Sequence, residues 1–147
     1  MTNSPTTKSK GFSDVERAAM RERALELKAE ERANKDRAFG EKELLAKIAE
    51  MPEKDRVMAT KIHEIVSKVA PMLMPKTWYG MPAYTKEGKV VCFFKGASKY
   101  KTRYATLGFE EAAHLDAGVM WPTSYALIQV TATEEKKIAE LVKQAAT

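Results

Sequence analysis

The sequence has few of the residues that bind metals or form disulfides. It contains one cysteine and two histidines in 147 residues, which excludes an internal disulfide and any multi-cysteine zinc or iron–sulfur site within one chain. No apolar run is long enough to cross a bilayer, and residues 1–10 have no apolar centre like that of a signal peptide. We therefore expect a cytoplasmic protein that does not bind membranes.

The motifs of common enzymes are also missing. There is no glycine-rich phosphate loop, no paired-acid motif and no HExxH pattern. Cys92 stands between Val91 and Phe93 in an apolar run, a setting that favours a buried, inert thiol over an activated one. His63 faces away from the main apolar stripe of its helix and is expected at the surface or at its boundary. The sequence does not support an enzyme, although an active site built from distant residues remains open.

The positive charge is concentrated in one part of the chain. The formal net charge is +5, and between residues 86 and 103 the basic residues are offset only by Glu87: Lys86, Lys89, Lys95, Lys99, Lys101 and Arg103. Such an excess can attract phosphates or carboxylates, or it can protect a sheet edge from aggregation. Nucleic-acid binding has only this charge in its favour, and we do not expect it.

The N-terminal third predicts an extension of the main domain. Residues 1–12 read as a disordered tail, and the capping box from Ser13 to Glu16 predicts a helix that continues to about Ala38, with Gly40 as its stop. The apolar stripe of this helix is thin. The helical extension, residues 13–40, is therefore expected to lie against the domain along a shallow strip or to pair with another chain in a homo-oligomer.

The remaining residues, 41–147, predict one α+β domain. A helix over residues 44–51 precedes an amphipathic helix that begins after Pro52 and ends before Pro71 and Pro75. Strands are expected at residues 78–85, 89–94, 101–108 and 121–130, with a turn at residues 86–88, a short helix at 110–115 and a closing helix capped by Thr131 and Glu134. This order predicts an antiparallel sheet with helices packed on one face.

The most informative segment joins the helical and strand-rich parts. Residues 75–84 combine three aromatic rings with two prolines and a glycine, and large rings are rarely left in water unless they pack on a core or meet a ligand. With Trp121 and nearby lysines, this segment predicts a binding surface, which we call the aromatic lip, for a small anionic ligand or a peptide. Its candidate ligand-binding residues are Trp78, Tyr79, Met81, Tyr84, Lys95, Lys101 and Trp121. The alternative interpretation is that the rings fill the core.

The same segment carries a family resemblance. The step Trp78-Tyr79-Gly80-Met81-Pro82-Ala83-Tyr84, followed by a glycine turn, the strand 88–94 and the closing apolar helix, resembles the YdhG-like domains of bacteria. The resemblance covers about residues 43–146. It implies a compact α+β fold with an antiparallel sheet and a cleft beside Met81 and Pro82. A frataxin-like role in iron delivery is attached to part of that family.

An iron site is the alternative to the aromatic lip. Iron delivery of the frataxin kind requires clustered carboxylates as hard oxygen ligands, and the nearest candidates are Glu110, His114 and Asp116. Glu110 and His114 would share one face of the expected short helix. The same residues can instead compensate the dipole of that helix. We therefore predict no cofactor, with iron as the alternative.

Overall fold

The computed structural model describes residues 11–147, so the predicted disordered tail, residues 1–12, lies almost entirely outside the described residues. Within these described residues, five helices and five strands follow one another in the order α1 (Asp14–Ala33), α2 (Arg37–Ala49), α3 (Glu53–Val69), β1 (Met74–Trp78), β2 (Met81–Lys86), β3 (Lys89–Lys95), α4 (Ala97–Tyr100), β4 (Ala105–Phe109), β5 (Ser124–Leu127) and α5 (Ala132–Ala145). The predicted α+β class is confirmed.

The N-terminal helical segment is divided where the sequence predicts one helix. α1 ends at Ala33, and the Asp36 carboxylate caps α2 by accepting the Phe39 N–H at 3.1 Å. Gly40 was expected to end a helix. It lies inside α2 instead, at the point where the helix backbone touches β1. A Cβ at Gly40 would lie 2.2 Å from the Pro75 carbonyl oxygen. The contact with β1 thus explains the glycine that resembled a helix end.

All five strands form one antiparallel meander in the order β1-β2-β3-β4-β5. The turn predicted between β2 and β3 is confirmed at Glu87 and Gly88, which both have positive φ. β1 is an additional strand, joined to β2 by a turn at Tyr79 (φ 50°) and Gly80 (φ 76°). Tyrosine rarely takes this conformation, so the sequence predicted one continuous strand over residues 78–85 and not this turn.

The helix predicted for residues 110–115 does not form. A single turn occurs, closed by the Ala113 N–H donating to the Glu110 carbonyl. The Glu110 N–H donates instead to Val91 at 3.0 Å, and the His114 N–H donates to Ala145 at 3.1 Å. The His114 N–H, which would donate to the Glu110 carbonyl in a helix, therefore donates to a tertiary partner instead. The last strand is also shorter than predicted, at Ser124–Leu127.

One face of the sheet forms the core with the helices. Tyr84, Cys92 and Phe109 are cross-strand neighbours on this face, and α2, α3 and α5 supply residues such as Leu44 to the same buried cluster. On the opposite face Phe93 lies across Gly108, where a Cβ would be 2.3 Å from the ring. Among the described residues no helix is both long and apolar enough to span a membrane.

The fit between α2 and β1 gives a first prediction. Gly40→Ala should lower the free energy of unfolding by about 1–3 kcal/mol, because the added methyl group overpacks against the Pro75 carbonyl. Helix propensity alone predicts the opposite sign, a gain of about 0.5–1 kcal/mol. Urea denaturation measures the change. The exposed Lys42→Ala on the same helix is the control and should alter stability by less than about 0.5 kcal/mol. A stabilised Gly40→Ala protein would contradict the described contact.

Candidate functional site

The turn between β1 and β2 binds a carboxylate of α1. The Tyr79 N–H donates to one oxygen of Glu26 at 2.9 Å, and the Gly80 N–H donates to the other at 2.7 Å. Two successive amides can point at one acid because both turn residues have positive φ. The backbone of the aromatic lip is thus an anion-binding turn that already holds an internal acid.

Further charges connect α1 to this turn. Arg23 forms salt bridges with Glu26 and Glu30, and its guanidinium lies 3.8 Å from the centre of the Tyr79 ring. Glu30 also accepts from Lys76 of β1 at 3.0 Å. Lys76 is only 5% exposed, so Glu30 neutralises a charge that would otherwise be buried without a partner.

A broad depression, which we call the outer groove, runs between α1 and α2 at this turn. Its volume is about 630 Å³. Its walls carry charges of both signs beside small and apolar side chains, and its lining comprises Ala19, Glu22, Arg23, Leu25, Glu26, Ala29, Glu43, Ala46, Lys47, Glu50, Thr77, Tyr79, Gly80 and Lys99. The groove is open to solvent and mixed in charge, so it can hold an extended polar segment.

A smaller and more enclosed space, the inner cavity, adjoins the outer groove. It has a volume of about 200 Å³. Lys47, Glu50, Gly80 and Lys99 line both spaces, so together they form one cleft. The other residues that line the inner cavity are Met51, Pro52, Asp55, Met81, Phe94, Gly96 and Tyr100. A largely apolar interior with charged groups at its rim is the usual composition of a small-molecule site.

Asp55 of α3 shapes one wall of the inner cavity. This carboxylate is 2% exposed and accepts the N–H groups of Ala97 at 3.2 Å and Ser98 at 2.9 Å. It thereby fixes the start of α4 and the segment that carries Lys99 and Tyr100. A Cβ at Gly96 would lie 2.8 Å from a carboxylate oxygen of Asp55, which explains a glycine at this contact.

The other side of the cavity mouth is formed by α4, which packs against the turn between β1 and β2 at Tyr79 and Gly80. We call this turn the lip turn. The Tyr100 hydroxyl donates to the Tyr79 carbonyl at 3.2 Å. Burial, with a smaller contribution from Glu26, raises the pKa of Tyr100 above its ordinary value, so this phenol stays neutral at physiological pH. The Lys99 ammonium lies 2.7 Å from the position that a Cβ of Gly80 would take, so a side chain at residue 80 would displace it.

The structure places the predicted aromatic residues at several different points. Tyr79 lines the outer groove and Met81 lines the inner cavity. Trp78 contacts Tyr79 and Phe93 but borders a separate surface near Glu110. Tyr84 lies in the core, and Trp121 packs against the core from the loop after β4. The aromatic lip is therefore divided, and only two of its members reach the cleft.

The two predicted lysines lie outside the lining of the cleft. Lys95 has its ammonium 4.9 Å from the centre of the Tyr100 ring, behind the residue that forms the mouth. Lys101 is exposed in a left-handed conformation at the end of α4. The cations that line both spaces are Lys47 and Lys99. No strand pattern could indicate Lys47, and Lys99 belonged to the basic excess but had no distinguishing spacing.

Tyr84 takes part in a chain of polar contacts that runs from the core to the partly exposed Glu41. Its hydroxyl lies 3.0 Å from Nδ1 of His63, and Nε2 of the same ring lies 2.9 Å from a carboxylate oxygen of Glu41. The acceptor role of Glu41 assigns a proton to Nε2, so Nδ1 of a neutral ring accepts from the tyrosine. Burial raises the pKa of Tyr84 well above its usual value. His63 is consequently buried, whereas the sequence predicted a surface or boundary position.

The residues of the alternative iron site do not share a helix face, because the helix expected at residues 110–115 is absent. His114 has its Nδ1 2.5 Å from the carbonyl oxygen of Thr147. Within residues 11–147, no group of three or more histidine, cysteine, aspartate or glutamate residues is placed to hold a metal ion. Cys92 is fully buried, which raises the pKa of its thiol to about 12, so at neutral pH it lacks the thiolate that a nucleophile requires.

Comparison of the chain with protein-family models, curated proteins and solved structures gave no match. The resemblance to the YdhG-like domains therefore remains a prediction from the sequence.

The contact of Asp55 with α4 gives the second prediction. Asp55→Asn should lower the free energy of unfolding by about 2 kcal/mol, because the amide cannot accept from both N–H groups in place of the two carboxylate oxygens. Chemical denaturation provides the value. Glu53→Gln, the same change at an exposed position of α3, should cost less than about 1 kcal/mol. Equal losses in the two variants would show that Asp55 acts only through the helix dipole.

Proposed function

We propose that this chain is a non-enzymatic binding protein for a small organic anion, with the apolar part of the ligand in the inner cavity and its anionic group beside Lys99. The observation that carries the proposal is an apolar cavity with a lysine at its mouth. Peptide binding, the other ligand class expected from the sequence, would use the outer groove. The cytoplasmic location remains a prediction.

The size of the cavity limits the ligand. An apolar cavity of about 150 Å³ holds a benzene ring, and the inner cavity measures about 200 Å³. The space therefore suits one ring or a short branched chain with a small polar group. Met51, Met81 and Phe94 supply the apolar contacts, and methionine side chains adapt to ligands of different shape.

The charges at the mouth favour an anion at one particular position. Lys99 is exposed and forms no salt bridge with any residue between 11 and 147, so its ammonium is available to a carboxylate. Lys47 is already 3.6 Å from Glu50. Glu22 and Glu43 line the outer groove but not the inner cavity, and they disfavour an anion in the groove. The ligand carboxylate is therefore expected at the boundary of the two spaces.

The third prediction tests this with benzoate as the probe. Isothermal calorimetry and NMR titration should show saturable binding to the complete chain, and Lys99→Met should weaken it about tenfold or more through loss of a charge-assisted hydrogen bond. Benzyl alcohol, which keeps the ring without the charge, should bind wild type and Lys99→Met equally. Lys101→Met is the matched control, because that lysine lies outside the cleft, and it should bind benzoate as wild type does.

Two results would contradict the proposal. One is the absence of saturable benzoate and benzyl alcohol binding together with unchanged NMR signals for Met81 and Phe94. The other is binding that Lys101→Met weakens as much as Lys99→Met, which would indicate a general attraction to surface charge. Chemical shift changes confined to α1 and α2 with short acidic peptides would instead favour the peptide alternative.

A further inference from the structure

The break between α1 and α2 is local and small. Residues 14–39 contain neither glycine nor proline, so the sequence itself favours an uninterrupted helix. Asn34 has helical angles (φ −62°, ψ −23°), whereas Asp36 is extended (φ −131°, ψ 98°). A change centred on Asp36 would join both helices into one. Its carboxylate now stabilises the break by accepting from Phe39.

Polar contacts hold α1 in place more than apolar ones do. Ala33 is its only buried residue, and its large apolar side chains are exposed: Val15, Met20, Leu25 and Leu27. The attachment depends on Glu26 at the lip turn and on Glu30 at Lys76. Departure of α1 loses little apolar burial, but it leaves Lys76 without a carboxylate, which is costly for a lysine that is 5% exposed.

We propose that α1 is an arm exchanged between two copies of this chain. In the exchanged form, Asp36 becomes helical, α1 and α2 form one helix from Asp14 to Ala49, and each arm docks on the β1–β2 turn of the other copy. A second copy is the partner that the surface fits, because its α1 carries the same Glu26 and Glu30 and restores both contacts. Each outer groove is then completed by the second copy.

This inference rests on the proposed function only for the use of the groove, since the exchange itself requires no ligand. It accounts for two observations together: a hinge that the helical sequence does not require, and an arm with exposed apolar residues attached by charge. It also specifies the effect of reversing the charges of Glu30 and Lys76. Each charge-reversed variant lacks the ion pair on its own. The pair is restored only when the arm of one variant docks on the other variant.

The fourth prediction uses this reversal. Glu30→Lys and Lys76→Glu each place like charges together when studied alone, in the unexchanged monomer and in the exchanged homodimer alike, so neither homodimer is stabilised by this contact. After refolding as a mixture, exchanged heterodimers join opposite charges at both contacts, and native mass spectrometry should show at least tenfold more heterodimer than homodimer of either variant. The control pair is Lys61→Glu with Glu135→Lys, which reverses a contact of 3.6 Å between α3 and α5. It should give no heterodimer enrichment. A charge-reversed mixture without heterodimer overturns the proposal.

The fifth prediction tests the hinge. Proline is favoured at the first position of a helix, and the residue before it prefers an extended conformation, so Arg37→Pro should retain the break and prevent the joined helix. Arg37→Ala is the matched control, because both variants lose the hydrogen bond from Arg37 to the Leu73 carbonyl. Light scattering after chromatography should show a dimer fraction at least fivefold lower for Arg37→Pro. Equal dimer fractions overturn the proposal, and no ligand enters either measurement.

Discussion

The close approach of α2 to β1 at Gly40 positions both the core and the cleft. Because no side chain separates the helix from the Pro75 carbonyl, α2 lies low on the sheet, and Leu44 and Ile48 are almost fully buried. The same placement brings Lys47 to the cleft. A wider separation would lose apolar burial and open the inner cavity at once, so the stability and the shape of the site depend on a single backbone contact.

The two sides of the cleft are held by different forces. α2 and α3 form one side from elements embedded in the apolar core. α1 forms the opposite side of the outer groove through carboxylates that accept from the lip turn and from Lys76. Competing water and the screening effect of salt weaken hydrogen bonds and ion pairs, whereas salt screening does not weaken apolar packing. The cleft therefore combines a rigid side with one that is sensitive to its ionic surroundings.

The sequence predicted the fold class because its strongest patterns are local. Both capping boxes, the amphipathic pattern of α3 and the glycine turn between β2 and β3 occur as expected. The errors arose where tertiary contacts override local preference. Gly40 resembled a helix stop although it serves a packing contact. The 110–115 segment resembled a helix although its amides donate to β3 and α5.

The site was predicted only in part for a related reason. Tyr79 and Met81, within and just after the lip turn, line the cleft. Tyr84 lies in the core, where its hydroxyl contacts His63. Strand alternation distinguishes two faces of a sheet but does not show which face receives the helices. Lys47, Met51 and Asp55 come from helices distant in sequence, and their approach to Lys99 depends on how α2 and α3 cross the sheet. Residue patterns along one segment carry no information about that crossing.

The meander order of the sheet also bears on how the chain folds. Every strand pairs with its neighbour in sequence, so the sheet can grow hairpin by hairpin with little loop-closure entropy at each step. The contact of α5 with α3 is different, because it joins distant parts of the chain. We expect this contact to form late, so that the transition state for folding contains the sheet while the closing helix is still undocked.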